Sequence, residues 1–234
     1  SLDLQNIFKG IEKMTGYMHA GYAESLSEFG TPRELPRCGG WILERKITGF
    51  PAYDAMGCYP LFCCNDWSEL QADLDNLDKD LVSLSIVPDP FGSYDLDDLK
   101  HCFKDVVIPF KESFIVDLHL PMNTITSRNR RKKSKKALKH IRVSVCQKPV
   151  DHIQEWHELY NTLIKRHHIS GIRKFSKMAF TRQLGLPGTI MFRAVHRGIS
   201  VGATIWYIQG ETAYGHLAAF NDLGYDLRSS YALD

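Results

Sequence analysis

Three apolar runs near the end of the chain constrain its fold more than any other feature. They cover residues 190–195, 200–208 and 212–220, and short glycine-containing turns separate them. Turns this short join neighbouring antiparallel strands, because a parallel pair needs a longer crossover. The sequence therefore predicts a three-stranded antiparallel meander. A helix is predicted to follow from Leu227, with Asp226 as its N-terminal cap.

Patterns upstream of the meander predict a chain of mixed α/β (α+β) class. Asp151 and Gln154 have the spacing of a capping box, which predicts the start of an amphipathic helix bearing Trp156 and Tyr160. The remaining elements predicted in the second half are a linker at 121–126, a basic helix at 127–139, a strand at 141–146 and a helix at 176–184. Those predicted in the first half are helices at 4–29, 66–80 and 96–103, and strands at 41–45, 61–64, 81–87 and 106–118.

The charges divide the chain into two unlike halves. Residues 1–120 contain 10 Lys/Arg and 20 Asp/Glu, whereas residues 121–234 contain 19 and 7. This asymmetry and the linker predict two domains, 1–120 and 121–234, with the boundary near residue 121. The basic excess predicts an anionic partner: a nucleotide, a phosphorylated cofactor, RNA or the acidic half itself.

The basic helix concentrates these charges. Its cations and the first cation after it are Arg128, Arg130, Arg131, Lys132, Lys133, Lys135, Lys136, Lys139 and Arg142. Arginine and lysine side chains suit phosphate groups, so Arg128, Arg131 and Lys135 are candidate phosphate-binding residues. A solvated helix face is the alternative, and the run lacks the interleaved aromatic residues of a single-strand stacking platform.

Composition excludes several classes of function. The chain has no run of about 18 apolar residues, so no transmembrane helix is expected, and its first residues do not resemble a signal peptide. Six cysteines without a Cys-x-x-Cys pair predict free thiols in a reducing cytoplasm and no metal site. Motifs of serine hydrolases, P-loop enzymes and zinc proteases are absent.

The order of elements from residue 141, strand, two helices, three strands and a helix, resembles the Gcn5-related N-acetyltransferase (GNAT) fold. The basic run at 127–139 and the segments 202–206 and 214–225 resemble the Fem-type (FemAB-like) branch of that fold. The resemblance covers roughly residues 120–234. It implies tandem GNAT-like domains, of which the first is a degenerate copy. It also implies that the fold continues past Asp234, so the second domain is expected to be incomplete at its C-terminus.

The resemblance implies an acyl or aminoacyl transferase that moves an acyl group from acyl-CoA or aminoacyl-tRNA to an amine. In GNAT enzymes the turn after the third meander strand binds the pyrophosphate of coenzyme A. The corresponding cofactor-binding candidates are Leu217, Ala219, Gly224, Arg228, Ser229 and Ser230. The glycine-rich pattern of acetyl-CoA enzymes is missing, and Asp222 and Asp226 add negative charge, so aminoacyl-tRNA stays open as the donor.

Catalytic candidates lie on and after the third meander strand. A period of two places Tyr214, His216, Ala218 and Phe220 on one face. His216 is a candidate general base for the amine, Tyr214 a candidate acid and Asp222 an alternative base. A backbone N–H of this strand is expected to polarise the acyl carbonyl. A purely structural His216 is the other interpretation. The alternative function is a non-catalytic, degenerate GNAT-like module that binds RNA, a nucleotide or a protein through the basic helix.

Overall fold

The protein was studied as a computed structural model that describes residues 14–233. The chain forms two compact units, an N-terminal unit (Tyr17–Ser113) and a C-terminal unit (residues 14–16 and 114–233). Each unit contains a four-stranded sheet. The part of the first predicted helix that contains Ile7 and Ile11 lies outside the described residues.

The N-terminal unit is built on a mixed sheet with the order β1-β2-β3-β4. Its first three strands are antiparallel neighbours, and β4 runs parallel to β3. The strands are β1 (Thr31–Leu35), β2 (Gly40–Lys46), β3 (Tyr53–Gly57) and β4 (Leu81–Ser85), and the helices are α1 (Ala20–Ser25), α2 (Leu70–Leu74) and α3 (Leu96–Cys102). Ile42, Phe62, Trp67 and Leu70 form the centre of the core.

The predicted helix at 66–80 is too long. A 3₁₀ turn at Trp67–Glu69 leads into α2, which ends at Leu74. Asp66 caps this start, as predicted, by accepting a hydrogen bond from the Ser68 N–H. The next residues are rich in aspartate and asparagine, whose side chains compete with the helical hydrogen bonds. The Asn76 side chain, for example, donates to the Ala72 carbonyl at 2.6 Å.

Two predicted strands are wrong, and two real ones were missed. Residues 61–64 make only an isolated bridge from Phe62 to Pro88, and residues 105–116 form no regular element. The latter segment has strand-like composition, but no described strand pairs with it, and large apolar side chains such as Phe110 and Phe114 are exposed. Strands β1 and β3 escaped detection because proline, aspartate and glycine dominate their neighbourhoods.

The C-terminal unit confirms the predicted meander. Its antiparallel sheet has the order β5-β6-β7-β8. The strands are β5 (Arg142–Cys146), β6 (Thr189–His196), β7 (Ile199–Gln209) and β8 (Thr212–Phe220). The helices are α4 (Met122–Ile125), α5 (Arg128–Ala137), α6 (Ile153–His167), α7 (Lys177–Leu184), α8 (Asp222–Asp226) and α9 (Ser230–Leu233).

Helices cover both faces of this second sheet. Adjacent residues of a strand point to opposite faces. Arg193 of β6 pairs with Glu155 of α6, whereas its neighbour Ala194 belongs to a core cluster against which Leu233 of α9 packs. Helix α6 therefore lies on one face and α9 on the other.

Local details of this unit correct three predictions. No side-chain cap opens α6, because a 3₁₀ turn at Pro149–His152 precedes it, so the capping box is wrong. The final helix is two short helices, α8 and α9, and Asn221 rather than Asp226 provides the cap. The predicted linker contains the single turn of α4.

Candidate functional site

A β-bulge interrupts the strand that carries the catalytic candidates. Ile205 of β7 pairs with Leu217, but the next residue, Trp206, pairs with Gly215, so His216 is the additional residue of β8. Paired residues of an antiparallel sheet share a face. The alternation predicted from Tyr214 to Phe220 is therefore wrong, because the extra residue moves Ala218 and Phe220 to the face opposite Tyr214.

The side chain of His216 packs into the face that α6 and α7 cover. Its ring stacks on Tyr207 with centroids 4.6 Å apart and lies 6.1 Å from the ring of Phe175. Its Nε2 atom is 3.4 Å from Oε1 of Gln183, a buried residue of α7. Burial lowers the pKa of His216 to about 3, because the charged imidazolium loses hydration there. The ring is therefore neutral near pH 7 and is a weak base.

Tyr214, Leu217 and Ala219 share the face on which His216 lies. Tyr214 pairs with Tyr207, Leu217 with Ile205 and Ala219 with Ala203. Ala219 is buried, and the other two side chains are half-buried. The structure thus brings one catalytic candidate, Tyr214, and two cofactor candidates onto the side of the sheet that carries His216.

The turn after β8 is occupied by internal hydrogen bonds. Asn221 Oδ1 accepts the Gly224 N–H at 2.8 Å, and the Asn221 carbonyl accepts the Tyr225 N–H at 3.0 Å. A Cβ atom on Gly224 would lie 2.0 Å from the carbonyl oxygen of Val201. Close packing against β7 therefore explains the single glycine of this turn, and α8 has only five residues.

Asp222 is held by a residue that the sequence did not single out for this purpose. Arg166, in the last turn of α6, forms an ion pair with Asp222 at 3.3 Å, and its guanidinium carbon lies 4.0 Å from the ring centroid of Tyr225. Both carboxylate and guanidinium are exposed, so the pair contributes little energy. The distance along the chain between the partners hides this contact from sequence patterns.

The residues after α8 separate into an exposed and a buried part. Arg228 is exposed and adopts a left-handed backbone conformation with φ of 54°. Ser229 is completely buried, and its N–H donates to the Gly224 carbonyl at 2.9 Å. Ser230 is half-buried and begins α9. Ser229 therefore faces the interior of the unit.

The basic helix α5 forms as predicted, but its cations have different roles. Ser127 caps it by accepting from the Arg130 N–H at 3.2 Å. Arg131 donates to the backbone carbonyls of Thr126 and Asn123 and so ties the helix to the preceding turn. Lys133 lies over the ring of Tyr231 and donates to its hydroxyl at 3.2 Å.

The other two phosphate-binding candidates, Arg128 and Lys135, are exposed. Neither makes an ion pair with another residue in the range 14–233. Both side chains are available to a ligand, whereas the Arg131 guanidinium already donates hydrogen bonds to two backbone carbonyls.

The described part of the chain contains neither a cluster of metal-binding side chains nor a membrane-spanning helix. Within residues 14–233, histidine, cysteine, aspartate and glutamate form no group of three that could hold a metal ion. None of the helices in this range combines the length and apolar character needed to cross a bilayer.

Comparisons with known proteins identify the fold. No protein-family model matches the chain, and no curated protein matches its sequence. Among solved structures it is similar to the crystal structure of FemX, with a TM-score of 0.61 and 13% sequence identity. The match covers 97% of this chain and 81% of FemX. The chain therefore has the fold of FemX over nearly its whole length.

Proposed function

We propose, from the fold shared with FemX, that this protein transfers an acyl or aminoacyl group from a phosphate-bearing carrier to an amine. The two units are proposed to be tandem GNAT-like domains, with the transfer site on β8 of the C-terminal unit. The proposal rests on the fold together with the geometry of β8. Acyl-CoA and aminoacyl-tRNA are the two donors to be distinguished.

The observation that carries this proposal is the bulged edge strand. Strand β8 is the last strand of the sheet among the described residues, and the bulge lies at its middle. Every second residue of an edge strand directs its N–H and C=O away from the sheet. A bulge also re-aims side chains and ends regular pairing, which is why bulges are frequent beside active sites. An acyl carbonyl laid along this edge would accept a backbone N–H and become more electrophilic.

The reaction at such an edge is direct attack. The amine nitrogen forms a bond to the carbonyl carbon, and the bond from that carbon to the carrier's oxygen or sulfur breaks. The proton lost by the amine passes to solvent or to Asp222, and Tyr214 is the proposed acid for the leaving atom. His216 is a weak base because of its low pKa, so its proposed contribution is to position its neighbours around the bulge.

The geometry of the turn after β8 favours aminoacyl-tRNA over acyl-CoA. The Gly224 and Tyr225 N–H groups are already bonded to Asn221, and Asp222 adds negative charge where a pyrophosphate would lie. The basic helix α5 instead offers exposed cations along ten residues, about 15 Å. That length matches several consecutive phosphates of one RNA strand better than one pyrophosphate.

One observation favours the alternative function, a non-catalytic module that binds RNA, a nucleotide or a protein. The histidine beside the bulge has a pKa of about 3, so it is poorly suited to remove a proton from an ammonium group. A degenerate domain would keep the fold and the basic helix but would no longer catalyse acyl transfer.

Transfer of label from donor to amine tests the proposal. The protein is incubated with unfractionated tRNA charged with radiolabelled amino acids, or with labelled acetyl-CoA, and with lysine-containing peptides and small amines. Label in an amine product, with tRNA preferred over acetyl-CoA, is the expected result. Binding of tRNA without label transfer from either donor would favour the binding module.

Two variants locate the reaction on the chain. Tyr214→Phe removes the proposed acid while keeping the ring, and should lower the transfer rate by about 100-fold or more. Thr212→Val, at the first residue of the same strand, also removes one hydroxyl; it is the matched control and should leave the rate unchanged. Equal rates for the wild type and Tyr214→Phe would remove Tyr214 from the mechanism.

A further inference from the structure

A groove of about 380 Å³ lies at one end of the C-terminal sheet, beside the C-terminal end of α5. Residues 138–142, at the connection from α5 to β5, form one wall, and Val195, Arg197 and Gly198, at the turn from β6 to β7, form the other. The two walls meet because Arg142 pairs with Val195 in the ladder. His196 Nδ1 and the His140 carbonyl, 2.7 Å apart, join them a second time.

Three cations line this groove, and no acidic side chain does. They are Lys139, Arg142 and Arg197, and all three are exposed. None of them makes an ion pair or a side-chain hydrogen bond with another residue in the described part of the chain. Like charges that converge on one concave site repel each other, and a bound anion relieves that repulsion.

The floor of the groove is apolar. Ile141 and Val195 line it and are buried, and Leu138 adds a half-exposed edge. Ligand sites commonly combine apolar walls with a few polar groups that fix orientation. Cations at the rim and aliphatic side chains at the floor suit a ligand with a phosphate at one end and a flat or apolar group at the other.

Arg197 lies in a backbone conformation that its side chain does not favour. Its φ is 49°, and Gly198 follows with φ of 82°, so both central residues of the turn are left-handed. This is the type I′ turn, whose preferred sequence is Asn-Gly. Asparagine would stabilise this turn better than Arg197 does. Arginine at this position instead places a cation at the rim of the groove.

We propose that this groove is a binding site for a nucleoside phosphate, with the phosphate on Lys139, Arg142 and Arg197. Arg128, Arg131 and Lys135 do not line this groove, and the site does not depend on acyl transfer. The nucleotide could be free or form part of a larger carrier, because the shared chemistry is a phosphate next to a nucleoside.

Calorimetric titration of the full chain with ADP, adenosine and pyrophosphate tests this site. ADP should bind, adenosine should not bind measurably, and pyrophosphate should bind more weakly than ADP, because it lacks the group that contacts the floor. Coenzyme A and dephospho-coenzyme A, which lacks the 3′-phosphate, show whether the groove binds this phosphate. Tighter binding of coenzyme A would assign the groove to it. No binding of ADP at millimolar concentration would overturn the proposal.

Arg197→Asn is the decisive variant, because asparagine suits the left-handed turn and the fold should be kept. Loss of a charge-assisted contact should weaken ADP binding about five- to tenfold. Lys132→Gln removes the same charge from an exposed site on α5 and should change binding less than twofold. If both variants weakened ADP binding equally, the affinity would depend on the overall positive charge of the protein and not on Arg197, which would refute the site. Binding of an RNA oligonucleotide that Arg197→Asn weakens, without ADP binding, would also refute it and assign the groove to RNA backbone.

Discussion

Glu155 and Arg193 form a two-point ion pair that joins α6 to the middle of the C-terminal sheet. Arg193 Nε donates to Glu155 Oε1 at 2.6 Å, and a second guanidinium nitrogen donates to Oε2. Both side chains are mostly buried. Burial, the largest single influence, would raise the pKa of Glu155, but the hydrogen bonds and charges of its neighbours, Arg193 foremost, together outweigh it and lower the pKa below its ordinary value.

We expect Glu155→Gln to lower the free energy of unfolding by about 1–3 kcal/mol at pH 7, because the buried guanidinium would lose a charged partner. A carboxylate whose pKa is lower in the folded state stabilises the fold at pH values above its pKa in the unfolded chain, about 4.3. This stabilisation is lost as the pH falls through the pKa of the folded state. Urea denaturation at pH 7 and at pH 3 measures both effects.

Glu158→Gln is the control for this pair, because Glu158 lies on the same helix and its exposed carboxylate accepts a hydrogen bond from the neutral Gln154 side chain. It should change stability by less than about 0.5 kcal/mol. A gap between wild type and Glu155→Gln that persists undiminished at pH 2 would contradict the role of the charge.

His216 should stay neutral from pH 8 to pH 5. Burial lowers its folded pKa to about 3, below the unfolded value of about 6.5. Between the folded and unfolded pKa values, the unfolded chain therefore binds more protons than the folded protein. The stabilisation from a neutral His216 is complete above about pH 6.5. It is lost as the pH decreases toward about 3, by up to about 1.4 kcal/mol per pH unit. His216→Phe removes this contribution and should flatten the pH dependence.

Nuclear magnetic resonance of the His216 ring provides the direct measurement. Its carbon and proton shifts should not titrate between pH 8 and pH 5. A titration centred near 6.5 would show that the ring is hydrated, and it would restore His216 as a candidate general base.

Gly224 is expected to be required for packing rather than for ligand binding. In Gly224→Ala the new Cβ atom would lie 2.0 Å from the Val201 carbonyl oxygen, so the turn must shift away from β7. We expect a loss of about 1–3 kcal/mol in stability, measured by thermal unfolding. Gly185→Ala is the matched control, since its Cβ would find only ordinary contacts at 3.4 Å and beyond. Unchanged stability with weakened binding of acetyl-CoA would instead assign Gly224 to a cofactor.

Replacing Arg128 and replacing Arg131 should have different effects, the first on tRNA binding and the second on stability. Arg131 bonds to the carbonyls of Thr126 and Asn123, so Arg131→Gln should lower stability by about 1 kcal/mol. Arg128 has no such contact, so Arg128→Gln should leave stability unchanged. It should, however, weaken tRNA binding and reduce the slope of log affinity against log salt by about one. Filter binding at several salt concentrations measures this slope. A reversed pattern would mean that the two side chains exchange roles in solution.

Strong local patterns made part of the fold predictable. The meander followed from apolar runs and glycine turns, and Ser127 and Ser176 cap α5 and α7 at the starts that the sequence indicated. The prediction failed where a segment depended on a distant partner. Residues 106–118 have strand-like composition, yet a strand requires a neighbour to accept its hydrogen bonds, and composition cannot supply one.

The sequence suggested candidate residues for a site but not how those residues are arranged. The sequence drew attention to β8, the turn after it and the basic helix. It did not indicate the bulge, which changes the facing of every residue from Leu217 to Phe220, or the ion pair of Asp222 with Arg166. A bulge arises from the pairing of two strands, and alternation read along one strand cannot detect it.

The sequence by itself determined the elements whose signals lie within a few residues, namely the meander strands with their turns and the start and basic face of α5. The tertiary structure alone decided what those elements do together. It packed His216 against Tyr207 and beside Gln183, and the loss of hydration there lowers its pKa. It also gathered Lys139, Arg142 and Arg197 around one groove. Hydration and Coulomb interactions depend on distance in space, and folding sets that distance independently of separation along the chain.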